Sequence, residues 1–150
     1  MNSPRVAGTG LEECKVSVRL KLSALWTSVV FLYIYADYFG LYVPGALKSM
    51  LDGQMRPLGA TTQGVLLGAS LMLAIPSLMI FLTVALRPVW ARMLNLVCGV
   101  VYSLIILITM WGWAFYVLYG VIEITLTALV VWHAWSWPKA HVPQSQSEGL

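Results

Sequence analysis

An all-α fold, a transmembrane antiparallel four-helix bundle with a short interfacial helix in the outer loop, is predicted by three features of this chain. Apolar residues make up 59% of its 150 residues and charged residues only 10%, and mean hydropathy is +0.79. Soluble domains carry about 25% charged residues. The apolar residues gather into four runs, each close to the roughly 20 residues that cross ~30 Å of hydrocarbon as a helix. Lys and Arg are concentrated on one side of those runs. One domain is expected from this length.

Residues 1–21 are polar and carry Glu12, Glu13, Lys15, Arg19 and Lys21, a predicted cytoplasmic N-terminal segment. The transmembrane domain is assigned to residues 22–138. Its first span, about 22–42, runs from Leu22 to Tyr42. It is too long for a signal-peptide core, and no small-residue cleavage site follows it. In the outer loop, Pro44 suits a first helical turn, Ala46–Leu51 is helix-compatible, and Asp52-Gly53 is a stop signal. Ala46, Leu47, Met50 and Leu51 form an apolar face against Lys48 and Asp52, as an interfacial helix requires. The second span, about 64–86, ends at Arg87-Pro88. Pro76 predicts a kink within it, because proline removes one ladder bond, and Ser77 is expected to help satisfy the freed backbone. The third span is about 94–111. A tight turn at Gly112 leads to the fourth, about 114–135, closed by Trp137-Pro138. Residues 139–150 are polar and predict a disordered cytoplasmic tail.

Orientation follows from the cations. With both termini inside, Arg5, Lys15, Arg19, Lys21, Arg87, Arg92 and Lys139 are cytoplasmic, and only Lys48 and Arg56 are outside. Trp26, Trp90, Trp132, Trp135 and Trp137 then mark the inner boundary, and Trp111 and Trp113 the outer one, as an aromatic belt. Tyr33, Tyr35, Tyr38, Tyr42, Tyr116 and Tyr119 fall in the outer half.

Each span carries a stripe of small or polar residues at helical spacing. These are Ser23, Trp26, Val30, Tyr33 and Asp37; then Gln63, Ser70, Ala74 and Ser77; then Asn95, Gly99 and Tyr102; then Tyr116, Tyr119, Gly120, Glu123, Thr127 and Ala134. Membrane helices associate through small residues and interhelical hydrogen bonds, so these stripes are predicted to face inward. Gly64 and Gly68 form a GxxxG spacing, which marks either close intramolecular packing or a dimer face.

The strings KLSALWTSVVFLYIYADYFGLYVPG (Lys21–Gly45), IPSLMIFL (Ile75–Leu82), RMLNLVCG (Arg92–Gly99) and FYVLYGVIEITLTALVVWHAWSWP (Phe115–Pro138) resemble an uncharacterised family of small bacterial four-span membrane proteins. The resemblance covers roughly Val16–Lys139. It implies fold and an inner-membrane location, and brings no catalytic residues with it. The short turn between the third and fourth spans departs from the family pattern.

Asp37 and Glu123 are the candidate functional residues. Each is an acid inside an apolar run that contains no Lys or Arg, and ionisable groups in hydrocarbon are costly and rare. Asp37 lies roughly 22 Å along the first span, and Glu123 about 14 Å below the outer end of the fourth. Tyr33 and Tyr119 each precede one of them by four residues and share its helix face. With Tyr116 and Thr127 they make a candidate polar pocket, open outward, for a proton, a cation or a polar solute. The competing reading is structural: a neutral Glu123 and an interfacial Asp37 holding helices together by hydrogen bonds, with Lys48 or Arg56 pairing with Asp37.

Other chemistry is disfavoured. Cys14 and Cys98 form no CxxC pair, which argues against a disulfide or a redox centre. His133 is about 15 Å along the helix from Glu123, too far to share a metal, and His141 lies in the tail. Thr27 and Ser28 have no adjacent base, and no phosphate-binding glycine loop occurs. No basic run suggests nucleic acid. The expectation is a non-enzymatic helper or interaction subunit, without cofactor or metal, whose partners are the lipid bilayer and a membrane protein or a second copy. The alternative is an oligomeric channel or transporter for protons, cations or a small polar solute, using the buried carboxylates.

Overall fold

The computed structural model describes residues 15–55 and 58–138. The expectations for Arg5, Cys14, Arg56, Lys139, His141 and the 139–150 tail fall outside those residues, as does most of the N-terminal segment.

Four long apolar helices pack against one another. They are α1 (Val18–Gly40), α3 (Gln63–Ala85), α4 (Pro88–Thr109) and α5 (Ala114–Trp135). The short α2 (Ala46–Leu51) and a two-stranded hairpin, β1 (Gln54–Met55) and β2 (Gly59–Ala60), lie between α1 and α3. α5 has the span bounds read from the sequence, and α2 occupies the expected hexapeptide. α1 begins four residues before the apolar run, because Ser17 caps it by accepting a hydrogen bond from the Leu20 amide. α4 begins at Pro88, six residues earlier than expected. Proline at a first helical position has no amide to leave unpaired there, so the residue that closes the second span also opens the next helix. The hairpin was not foreseen. It pairs Gln54 with Ala60 and Met55 with Gly59, two residues per strand, too short for an alternation signal.

Around the bundle the order is α3, α1, α5, α4. α1 packs on both α3 and α5, α4 packs mainly on α5, and of these neighbouring pairs α3 and α4 have the least extensive contact. α3 and α4 meet at the tight Leu86–Arg87 connection, here called the turn end. The opposite end carries α2 and the hairpin and is called the hairpin end. Most of the core lies towards the turn end and contains Leu22, Trp26, Val29, Met79, Tyr102, Val130 and Ala134.

The buried hydrogen bonds that tie the helices together centre on Asn95. The indole of Trp26 donates to Asn95 Oδ1 at 2.8 Å. Asn95 Nδ2 donates to Thr83 Oγ1 at 3.0 Å and to the Ala91 carbonyl at 2.7 Å. One amide thereby joins α1, α3 and α4. Trp26 is wholly buried; its predicted place in the interfacial belt is corrected, because its N–H has a partner inside the bundle. Trp90, Trp111, Trp113, Trp132 and Trp135 are exposed. α4 and α5 approach closely at Gly99, where an added Cβ would come within 2.7 Å of Val131.

The inward stripes need two further corrections. On α1 the buried residues are Leu22, Trp26, Val29, Ala36 and Gly40, a face rotated by about 60° from the predicted one. Val30 is half-buried and Asp37 is exposed. On α3 the buried residues are Pro76, Met79 and Thr83. Gln63, Ser70, Ala74 and Ser77 are all exposed, roughly 155° around the helix from that face. Ser70 and Ser77 donate to the carbonyls of Leu66 and Leu73 in their own helix, so their hydroxyls need no partner from the bundle. Ser77 therefore does not serve the Pro76 break. Pro76 leaves the carbonyl of Met72, four residues earlier, without its ladder donor, and Tyr102 of α4 donates to that oxygen at 2.7 Å. The predicted stripes of α4 and α5 do turn inward: Asn95, Gly99, Tyr102, Gly120, Glu123, Thr127 and Ala134 are buried, with Tyr116 and Tyr119 half-buried.

Candidate functional site

Glu123 stands on the inward stripe of α5, one turn from Gly120 and one turn from Thr127. It is 5% exposed. One carboxyl oxygen, Oε1, is buried without a hydrogen-bond partner, and so is the hydroxyl of Tyr33 on α1. Glu123 lies within electrostatic reach of Tyr33. The ring of Tyr102 completes this part of the interior, tilted against Tyr33 with centroids 6.4 Å apart. Buried polar atoms are nearly always hydrogen-bonded, so two orphaned oxygens on facing helices make this the chemically unusual place in the bundle.

Asp37 is on the same side of the α1–α5 interface, nearer the hairpin end. The residue is exposed and lies within coulombic range of both Glu123 and Tyr116. The Tyr116 hydroxyl packs directly over Gly40, at a point where a side chain on α1 would collide with it. Gly40 is therefore glycine for close approach rather than for backbone freedom, since it lies inside a regular helix.

Thr127 and Tyr119 are occupied elsewhere. The Thr127 hydroxyl donates to the Glu123 carbonyl at 3.0 Å and is met at 2.7 Å by the Ser103 hydroxyl of α4. Tyr119 stacks on Phe39, with centroids 6.4 Å apart and 28° between planes. It faces a groove of about 420 Å³ at the hairpin end that Phe39, Tyr42, Trp113, Phe115 and Leu118 also line. The structure therefore groups Glu123 with Tyr33, places Asp37 and Tyr116 close by, and sets Thr127 and Tyr119 to other contacts.

Tyr102 and the Trp26–Asn95–Thr83 cluster were missed as a working group. Asn95 and Tyr102 were visible as polar residues in an apolar run. Their partners are 69 and 30 positions away in sequence, and nothing local indicates them.

Chemically, a carboxyl oxygen and a phenol hydroxyl with unused hydrogen-bonding capacity can hold a proton, a small cation or a water. Among the described residues, no three His, Cys, Asp or Glu side chains are placed to share a metal ion.

Residues 12–144 match the family of unknown function DUF6326. The chain belongs to that family. The matched stretch takes in all four long helices, and with them Asp37 and Glu123. No curated protein and no solved structure matches the chain.

Proposed function

We propose that this DUF6326 protein is a non-enzymatic helper or interaction subunit of a bacterial inner membrane, with both termini cytoplasmic. The observation that carries the reading is the rotation of α3. Its small and polar face, Ser70, Ala74 and Ser77, is turned away from its own bundle. Gly68, on a different side of α3, also has open space where a side chain would project. In a membrane, small residues let a second helix approach closely, and van der Waals packing then drives association. The occupant in this reading is a transmembrane helix of a partner protein.

The test is a photo-crosslinking amino acid placed at Ser70 and, as a control, at Leu104 on the exposed face of α4. A discrete protein adduct from position 70 alone supports the reading. Lipid adducts alone at both positions refute it, and an adduct of twice the chain mass replaces the partner with a second copy.

A second reading, an oligomeric channel or transporter for protons, cations or a small polar solute, draws on the unpartnered Glu123 Oε1 and Tyr33 hydroxyl. Buried ionisable groups in membrane proteins commonly mark such pathways. In proteoliposomes it requires a proton or cation flux that Glu123→Gln and Asp37→Asn each abolish without unfolding the bundle. Flux that is absent, or unaltered by both changes, removes it.

A further inference from the structure

At the turn end the described cations are Lys15, Arg19, Lys21, Arg87 and Arg92, and no described acid lies there. They are not equivalent. Arg92 is committed to the C-terminus of α5: its Nε donates to the Ala134 carbonyl at 3.1 Å and its Nη2 to the Trp135 carbonyl at 3.3 Å. Lys21 is two residues beyond Arg19, about 200° around α1, and so points to a different side of the bundle. Arg19 instead crosses to α3, where its Nη1 donates to the Val84 carbonyl at 2.9 Å. That bond holds its guanidinium at the last turn of α3 and leaves its other N–H groups unassigned among the described residues. Arg87 follows Val84 by three residues and is exposed in extended backbone at the start of α4. The chain thus brings the Arg19 guanidinium to the corner where α3 turns into α4, three residues before Arg87.

The surroundings of that corner are those of a headgroup region. Trp90 lies three residues beyond Arg87, one turn into α4, and is 56% exposed; indoles favour this depth. Guanidinium matches phosphate oxygens in paired, charge-assisted hydrogen bonds.

We propose that Arg19 and Arg87 form a binding site for the phosphodiester of an anionic phospholipid. The lipid, rather than free phosphate, is the occupant because both helices flanking the site are long and apolar enough to cross a membrane and end at this corner. Arg19 neutralises the C-terminal carbonyls of α3 and holds one side of the phosphate. Arg87 holds the other, and the acyl chains run down beside Trp90.

The experiment is lipid titration of the purified full chain in neutral detergent, read by native mass spectrometry and by the shift in unfolding temperature. Phosphatidylglycerol, phosphatidylcholine and inorganic phosphate are compared. Phosphatidylglycerol is expected to bind saturably and to raise the unfolding temperature. Arg87→Gln weakens that binding about fivefold, and Lys21→Gln changes it less than twofold. Arg19→Gln also removes the Val84 contact, so its unliganded stability is measured first and only the lipid-induced shift is compared. Equal binding of phosphatidylcholine overturns the proposal. So does the full thermal shift from inorganic phosphate alone, which makes this a free-anion site, or equal losses from Arg87→Gln and Lys21→Gln, which reduce it to diffuse charge.

Discussion

The hydroxyl of Tyr102 donates to the carbonyl of Met72 at 2.7 Å, the oxygen that Pro76 leaves without its helical donor. A break in α3 is thus mended by a side chain from α4, across the neighbouring pair with the least extensive contact. Tyr102→Phe is expected to cost about 1 kcal/mol, near the upper part of the range measured for interhelical bonds in membranes. In a Pro76→Ala background, the restored amide takes over that carbonyl and the cost of Tyr102→Phe shrinks. Unfolding titrations in mixed micelles give the coupling; equal costs in both backgrounds would show that the two residues act independently.

Asn95 serves three partners, Trp26, Thr83 and the Ala91 carbonyl. Asn95→Leu keeps the volume close but strands the Trp26 indole and the Thr83 hydroxyl, for a loss of about 2 kcal/mol. Trp26 fluorescence should shift as its hydrogen bond is lost. An unchanged midpoint and spectrum would remove Asn95 from the structural account.

Gly99 and Gly68 are both glycines inside long helices, with opposite surroundings. A Cβ at Gly99 meets Val131 at 2.7 Å and the Thr127 carbonyl at 3.5 Å, whereas one at Gly68 meets nothing within 4 Å. Gly99→Ala is expected to destabilise the isolated protein by about 1–3 kcal/mol, the usual cost of overpacking, and Gly68→Ala to leave it unharmed. A reversal of that order in detergent unfolding would contradict the α4–α5 packing.

The orphaned oxygens of Tyr33 and Glu123 make a prediction about glue against site. Because the Tyr33 hydroxyl has no partner in the bundle, Tyr33→Phe should change stability by less than about 0.5 kcal/mol. Glu123→Gln should be tolerated and Glu123→Ala should lose more, since alanine empties buried volume. A loss above about 1 kcal/mol for Tyr33→Phe would mean that its hydroxyl is bonded in the folded protein, and the structural reading would gain.

The proposed topology rests on seven cations against two. Reporter fusions after Leu150 and within the Gly53–Thr61 loop should give opposite sidedness. The same sidedness for both would end the arrangement with cytoplasmic termini.

The amino-acid sequence by itself determined four long helices and their approximate limits. In hydrocarbon each backbone amide must be bonded within its own segment, so a long apolar run has few alternatives to a helix. The same residues carried the inward faces of α4 and α5, because Asn95, Gly99, Gly120 and Glu123 interrupt otherwise large apolar surfaces. Only the tertiary structure decided the rotation of α1 and α3. Lipid tails and a protein interior are equally apolar, so Leu22 and Val29 carry no mark that they are buried while Leu20 and Phe31 are exposed. The hydroxyls of Ser70 and Ser77, read as inward signals, are satisfied by their own helix and tolerate either face. The pairing of Trp26 with Asn95 and of Tyr102 with Met72, and the nearness of the unpaired Glu123 and Tyr33, depend on which helices become neighbours. Helix packing sets that, through contacts between residues far apart in the chain.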